Sequence, residues 1–514
     1  MMNRKILIAI LLLLGSFIGY SQSSEQLEHL DKYYQQAFQE WNIPGMAIAI
    51  VKDNKIIFEK GFGFADLEKK QKVDENTLFA IASNSKAFTS TAIAILVEEG
   101  KLNWDDKVVH HLPYFKMYDP YVSREMNIED LLCHRSGLKT FSGDLLWFGT
   151  DKSAEDVVRA AGHLKATGDF RVDYGYSNIM YVAAGLIIEK ISGKSWGAFV
   201  QERILDPLEM NRTIYSTDEL SNTENVAQPY YFESDQNIKL DWLNWDNVVA
   251  AGGLISSVHD MSKWLQLNIQ EGEYENARII SGNSFEKLST PHINFSISAN
   301  SKKRQPSVHF KAYGLGWSIK DQYGKKIISH GGGYDGMISK SWIVPEEKLG
   351  MIILTNNLNY LPSALMEKTI DVLIGNKLDG LDYASVYLKS SVRNNEQMIS
   401  LMNSVENERG KINQGHLPLA EYAGRYRDKM YGDITIGLID GKLAFQMEPT
   451  SIFKADLHHW NDHVFTFRFP AQLSSLPAGK LWFDLSEKAV PERVHIEIEN
   501  PDFDFMEFEF IRVK

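Results

Sequence analysis

Ser-x-x-Lys occurs four times in this 514-residue chain, beginning at Ser83, Ser136, Ser284 and Ser451. The pattern matters because a serine hydroxyl is a weak nucleophile until a base takes its proton. Residues three apart on a helix face the same way, so a lysine at that spacing can reach the serine. Burial would lower the lysine pKa and let it act as the base. Context separates the four. Ser136-Gly137-Leu138-Lys139 contains a helix breaker, Ser451 lies among strand-like sequence, and Ser284 is surrounded by polar loop sequence. Ser83-Asn84-Ser85-Lys86 instead follows the apolar stretch Leu78–Ala82 and opens a long helical pattern closed by Gly100. A helix N-terminus there would also favour negative charge developing beside Ser83.

Two further groups of residues suit the same chemistry. Tyr174-Gly175-Tyr176-Ser177-Asn178 lies just before an apolar helical pattern, so its side chains can project from a loop into a cleft. A tyrosine beside a cationic lysine can be held as phenolate or relay a proton, and Asn178 offers an amide to orient substrate. Ile328-Ser329-His330-Gly331-Gly332-Gly333 puts a histidine and three glycines at the end of a presumed strand. Glycines there allow a ligand to approach backbone N–H groups closely, as an oxyanion hole requires.

The elements that must position these residues follow from apolar periodicity. Leu27, Leu30, Tyr34, Phe38 and Trp41 recur at helical spacing until Pro44-Gly45. Met46–Val51 and Ile56–Phe62 read as a hairpin across Lys52-Asp53-Asn54-Lys55, and helical stretches follow 84–99, including Ala183–Ile191 and Met261–Ile269. From Tyr313 the period returns to two, with strands expected over Tyr313–Ile319, Lys326–His330, Gly336–Val344 and Gly350–Thr355. Strands at both ends with helices between predict an α+β domain over residues 22–378, its sheet completed by both termini. Residues 379–411 read as a polar linker. Beyond them, seven short strand-like runs separated by turn signals predict a small antiparallel barrel or sandwich over 412–514, expected to be a separate unit that shapes access to the site.

Ser83-x-x-Lys86, Tyr176-x-Asn178 and His330-x-Gly332, in that order, resemble the three active-site elements of the serine β-lactamase-related family. That group holds class C β-lactamases, D-alanyl-D-alanine carboxypeptidases, D-aminopeptidases and related esterases. The surroundings of Ser83 are similar too, as are Leu131-Leu132-Cys133-His134-Arg135-Ser136-Gly137-Leu138 and Ala250-Ala251-Gly252-Gly253-Leu254-Ile255-Ser256-Ser257. The resemblance implies a β-lactamase/transpeptidase-like fold and an acyl-enzyme formed on Ser83. Lys86 and Tyr176 would manage its proton, Asn178 would hold the substrate amide, and His330 and Gly332 would line the facing wall. Backbone N–H groups of Ser83 and Gly333 would form the oxyanion hole. His330-Gly331-Gly332 stands where β-lactamases carry Lys-Thr-Gly. An unperturbed histidine titrates near 6.5, so its pull on a substrate carboxylate would be weak at neutral pH, which favours esters and amides over β-lactams. The C-terminal part resembles the lipocalin-like domain often appended to such hydrolases. A rival reading makes that barrel a binder of apolar ligands beside a degenerate hydrolase scaffold.

Composition narrows the partners. A net charge of −13 argues against nucleic acid or an anionic membrane. Lys302-Lys303-Arg304, the one short basic run, reads as a solvated loop. No metal and no organic cofactor is expected, since the remaining histidines lack zinc-site spacing and no phosphate loop occurs. The expected partner is a small-molecule or peptide substrate. Cys133 is the only cysteine, so packing alone must stabilise the fold. Arg4 and Lys5 precede the apolar run Ile6–Leu14, and Gly19 and Ser21 suit a cleavage before Gln22. That is a signal-peptide layout, implying export to the periplasm or beyond and no membrane span after cleavage.

Overall fold

A computed structural model describes residues 24–513 apart from 234, 409–415, 471–472, 474–475 and 501. The export signal read at 1–21 lies outside the described residues. A helix, α1, occupies 24–41 and leads into strand β1 (Gly45–Lys52), which turns back as β2 (Lys55–Asp66), followed by the two-residue β3 (Gln71–Lys72). Asp53 and Asn54 both have positive φ, the backbone of a tight hairpin turn. The helical middle of the chain includes α2 (Ser85–Glu98), α3 (Asn178–Ser192) and α4 (Val258–Ile269). Six strands then follow: β4 (Ile293–Phe295), β5 (Lys311–Tyr313), β6 (Ser318–Gln322), β7 (Lys325–Tyr334), β8 (Met337–Val344) and β9 (Leu349–Thr355). Among the described residues the large sheet has nine strands, in the order β4-β5-β6-β7-β8-β9-β1-β2-β3. Strand β1 pairs antiparallel with β9 from Met46↔Thr355 to Lys52↔Leu349, so both ends of the unit do complete its sheet.

Both faces of this sheet are covered, which is why β1 and β9 read as unbroken apolar runs. Ala47, Ala49, Ile328, Ile352 and Leu354 face the layer that holds α2, α3 and α4. Met46, Ile48, Ile50, Ile327, Trp342 and Ile353 face the second layer, made by α1 and by α5 (Leu361–Leu373). Strand β6 pairs with β7 only over Lys325–Ser329. Beyond that point residues 330–334 pair with β8 alone. One edge of the His330-Gly331-Gly332-Gly333 stretch is therefore free of a neighbouring strand, with the glycines inside β7 rather than past its end.

The polar stretch read as a linker is a 26-residue helix, α6 (Tyr383–Glu408). It is anchored near its start, where Tyr383 and Ala384 are buried, Tyr387 and Leu388 pack on the second layer, and the Tyr383 hydroxyl bonds Asp371 at 3.0 Å. Its sequence carries no clear apolar stripe, so the periodicity is too weak to show it.

The C-terminal part is a closed barrel of eight antiparallel strands, β10 (Gly424–Asp428), β11 (Gly432–Ile439), β12 (Lys442–Met447), β13 (Lys454–Asn461), β14 (Val464–Phe467), β15 (Gly479–Leu485), β16 (Pro491–Glu497) and β17 (Phe510–Arg512). The sequence shows seven of these. The eighth, β13, carries His458 and His459, and its charged and imidazole side chains hide the alternation. Buried rings fill the interior, with Tyr422 4.7 Å from Phe483 and Phe445 4.9 Å from Phe467. The barrel does not stand apart. Its core and that of the catalytic unit form one continuous apolar cluster, joined where Phe148 meets Phe503 at 4.6 Å.

Candidate active site

The turn carrying Ser83 is held from several sides. Residues Ala82–Asn84 form a single 3-10 turn feeding α2, and Ala82, a non-glycine residue, sits at φ +45°. Such a conformation persists only when its surroundings fix it. Here Asn84 donates to Ser339 Oγ at 2.8 Å and accepts from Ser341 Oγ at 2.6 Å, while Ser339 Oγ donates to the Ile81 carbonyl at 2.7 Å. Gly332 presses against the same carbonyl, since a Cβ built there would lie 2.1 Å from Ile81 O. Glycine at 332 is thus a requirement of close packing between β7 and the serine turn.

Lys86, one turn into α2, is fully buried. Its Nζ donates to Ser83 Oγ at 3.1 Å, to Asn178 Oδ1 at 2.6 Å and to the Ala251 carbonyl at 2.7 Å. Those three bonds use all the donors of an ammonium group. Burial nevertheless pulls the Lys86 pKa down to about 7, against an opposing pull from the Asp144 carboxylate. At neutral pH the amine is therefore poised to accept a proton.

Asn178 opens α3 and bridges two charged groups, donating to Asp144 Oδ2 at 2.6 Å while it accepts from Lys86. Asp144 also accepts from Trp147 Nε1 at 2.9 Å, and burial pushes its pKa up to about 7. Asp144 escaped the sequence reading because it lies in an irregular segment without a motif. Asn178 is expected there to hold a substrate amide. In the structure both ends of its carboxamide are engaged by protein.

Tyr176 faces Ser83, and Lys86 Nζ lies 4.8 Å from its ring centroid. Burial drives the Tyr176 pKa well above 10, outweighing the easing effect of Ser83. That direction favours the phenol over the phenolate. His134 stacks 4.2 Å from the Tyr176 ring, and its Nδ1 accepts from the Ser177 N–H at 3.1 Å. The Leu-Leu-Cys-His segment thus places the tyrosine loop. Cys133 is buried, with its thiol pushed up to about 12.

His330 Nε2 lies 2.8 Å from the Tyr313 hydroxyl, and Nδ1 lies 2.6 Å from the Gly331 carbonyl. The carbonyl can only accept, so Nδ1 carries the proton and Nε2 accepts from the tyrosine. Burial first, and then the charge of Lys86, lowers the His330 pKa to about 3. The ring is neutral.

These groups converge on one cleft of about 710 Å³, lined by Ser83, Tyr176, Asn178, His330, Gly331 and Gly333. Gly332 lies behind that wall. The barrel supplies Asn500, Asp502 and Phe503, and α6 supplies Ser391. The other Ser-x-x-Lys serines stand elsewhere: Ser136 is buried, and Ser284 Oγ donates to Glu98 at 2.5 Å. Barrel residue Glu507 reaches across to accept from Ser142 Oγ at 2.5 Å and Gly143 N at 2.9 Å, and within the barrel it accepts from Tyr431 OH at 2.5 Å. It grips the segment that presents Asp144. Among the described residues no cluster of metal-ligating side chains occurs, and no helix is long and apolar enough to cross a membrane.

The α+β fold, with a serine and a buried lysine at the start of its central helix, defines a class of serine hydrolases. The chain belongs to the beta-lactamase family, whose model matches residues 30–375. A second model, described as a domain of unknown function (DUF3471), matches residues 408–512. The unguisins hydrolase ungD of Aspergillus violaceofuscus is 29% identical over 86% of this chain and 85% of its own length. Protein flp of Staphylococcus aureus is 27% identical over 66% of this chain and 65% of its own. Among solved structures, the octameric penicillin-binding protein homologue from Pyrococcus abyssi aligns with a TM-score of 0.62 at 22% identity, covering 95% of this chain and all of that one. EstCE1, a hydrolase with promiscuous acyltransferase activity, aligns at 0.53 and 17% identity, over 66% of this chain and 94% of its own.

Proposed function

We propose that this protein cleaves ester or amide bonds, peptides with D-residues among them, through an acyl-enzyme on Ser83. The observation that carries this reading is the 3.1 Å contact between Lys86 Nζ and Ser83 Oγ, made by a lysine whose pKa burial has brought to about 7. Neutral Lys86 takes the Ser83 proton as Oγ attacks the carbonyl carbon. The resulting oxyanion lies between the N–H groups of Ser83 and Gly333, the second on the unpaired edge of β7. Tyr176, a neutral phenol, passes its proton to the departing alkoxide or amine and recovers one from Lys86, which leaves the lysine neutral again. Water then attacks the acyl-enzyme with Lys86 again as base, which releases the acid and regenerates Ser83. Asn178 is a positioning residue that fixes Lys86 relative to Asp144.

His330 supplies no positive charge, so a carboxylate gains nothing from it. That property favours esters and amides over the β-lactamase or D-alanyl-D-alanine carboxypeptidase alternatives, which pair the substrate carboxylate with a cation at this place in the wall. A fluorophosphonate probe should label the protein once, with the adduct on the peptide containing Ser83, and Ser83→Ala should abolish labelling. An adduct on Ser136 or Ser284 would overturn the assignment.

A further inference from the structure

A second cavity, of about 270 Å³, lies on the far side of β7 from Lys86. Its floor is the sheet face that points toward the second layer, and its roof includes Ser363 of α5 and Tyr387 of α6. The basic run read as a solvated loop is a short helix, Ala299–Arg304, and its last residue lines this cavity with its guanidinium 5.4 Å from the Tyr387 ring. Lys311, Lys320 and Lys340 also line it.

That arrangement is costly. Lys311 and Lys320 are direct cross-strand partners on β5 and β6, and like charges in such positions repel. One acid answers them: Glu367 accepts from Lys320 at 2.8 Å, and its second oxygen is buried without a partner. Among the described residues Lys340 makes no hydrogen bond and no ion pair. Burial and the charge of Lys320 lower its pKa to about 8. Three lysines and an arginine around one carboxylate leave the cavity strongly positive, and Ser318 and Ser329 add hydroxyl donors.

The cavity meets the catalytic cleft. Ser318 lines both. Gly331 lines the cleft and is the register partner of Lys340 on β8, and a Cβ built on it would lie 3.3 Å from Lys340 Nζ. With no side chain at 331, only the backbone of β7 separates the cleft from that amine.

We propose that this cavity is a carboxylate subsite of the catalytic cleft, with Lys340 as its principal contact. The preferred substrates are then esters or amides bearing a carboxylate that reaches past Gly331. The subsite rests on the Ser83 reading above, but its chemistry is independent of His330: the positive charge comes from the neighbouring strand.

The test uses two matched ester pairs on the full chain. One is the para-nitrophenyl half-ester of adipic acid against its methyl ester, which puts the charge on the acyl side. The other is para-acetoxybenzoate against methyl para-acetoxybenzoate, which puts it on the leaving group. In at least one pair the native enzyme should favour the carboxylate by about tenfold in kcat/KM, mostly through KM, the scale of one charge-assisted contact. Lys340→Met should erase that ratio and Lys340→Arg should keep part of it. Equal rates within both pairs for the native enzyme sink the subsite whatever the variants do, and so does a ratio that survives Lys340→Met. Competitive inhibition by inorganic phosphate without a carboxylate preference would mark a free-anion site and also refute the proposal. Fluorophosphonate labelling of Ser83, which needs no carboxylate, reads the nucleophile separately, so failure there strikes the Ser83 reading instead.

Discussion

Lys86 is fully buried and Lys340 partly so, on opposite faces of one sheet, and the protein treats them in opposite ways. Lys86 has three short hydrogen bonds and a carboxylate nearby, and it is buried among helices whose packing fixes each partner. Lys340 has neither bond nor ion pair among the described residues, and the charges of Lys320 and Lys311 oppose its protonation while Glu367 alone favours it. Drawing a cation part-way out of water without an answering charge is costly. A fully satisfied lysine belongs to machinery that is complete before substrate arrives. An unsatisfied one implies that its partner comes with the ligand.

The largest expected effect tests the satisfied lysine. Lys86→Met should lower the rate of Ser83 acylation by about 10²–10⁴-fold, the usual weight of a general base. In the native enzyme acylation should rise with pH through about 7, as Lys86 loses its proton. Stability should show the same group. Unfolded, the lysine keeps its proton up to about 10.4; folded, it keeps it only up to about 7. Between those values the unfolded chain binds more protons, so stability rises with pH across the window. Lys340 contributes with the same sign from about 8 upward. Lys86→Met should flatten the slope between pH 7 and 8 in urea titrations, and an unchanged slope there would deny that Lys86 is neutralised by burial.

An intermediate effect comes from the two glycines that separate the faces. Gly332→Ala forces a Cβ against the Ile81 carbonyl at 2.1 Å, an atom of the backbone that carries Ser83. It should cost about 1–3 kcal/mol and slow labelling. Gly331→Ala meets the end of the Lys340 side chain, at 3.3 Å, and the Ser339 carbonyl only at ordinary contact distance, and should shift stability by less than about 1 kcal/mol. Thermal melts and labelling rates for the pair decide this, and equal damage at both positions would remove the distinction drawn between them.

The smallest effect on acylation is expected at the barrel. Glu507→Ala removes two acceptor contacts at the segment presenting Asp144 and one inside the barrel. The loss should destabilise the protein by about 1–3 kcal/mol and lower acylation only a few-fold, read by melts alongside labelling.

How much of this was legible follows from where the signals lie. Ser83, Lys86, Tyr176, Asn178 and His330 sit in short motifs beside strong apolar patterns, and the structure brings four of them to one cleft with Lys86 bonded behind Ser83. The sheet was legible because β1 and β9 are apolar throughout. Asp144 was not, because its position comes from tertiary contacts to Asn178 and Trp147 that leave no local trace. The shared core behind Phe148 and Phe503 was equally hidden, since a buried phenylalanine looks the same in sequence whichever unit covers it. Helix α6 was missed for want of an apolar stripe, and the lysine cavity because Lys311, Lys320 and Lys340 meet only through strand register.

The Glu507 bridge bears on timing. Gly143 and Glu507 are 364 positions apart along the chain, and a ribosome adds only about 5–20 residues each second. The segment that presents Asp144 is therefore made tens of seconds before the carboxylate that grips it. Until then the nascent chain has a serine and a lysine but an unfinished proton site. The hydrolase is assembled late in its own synthesis, and a chain cut short before the barrel would carry the motifs of an active enzyme without the brace that holds their surroundings in place.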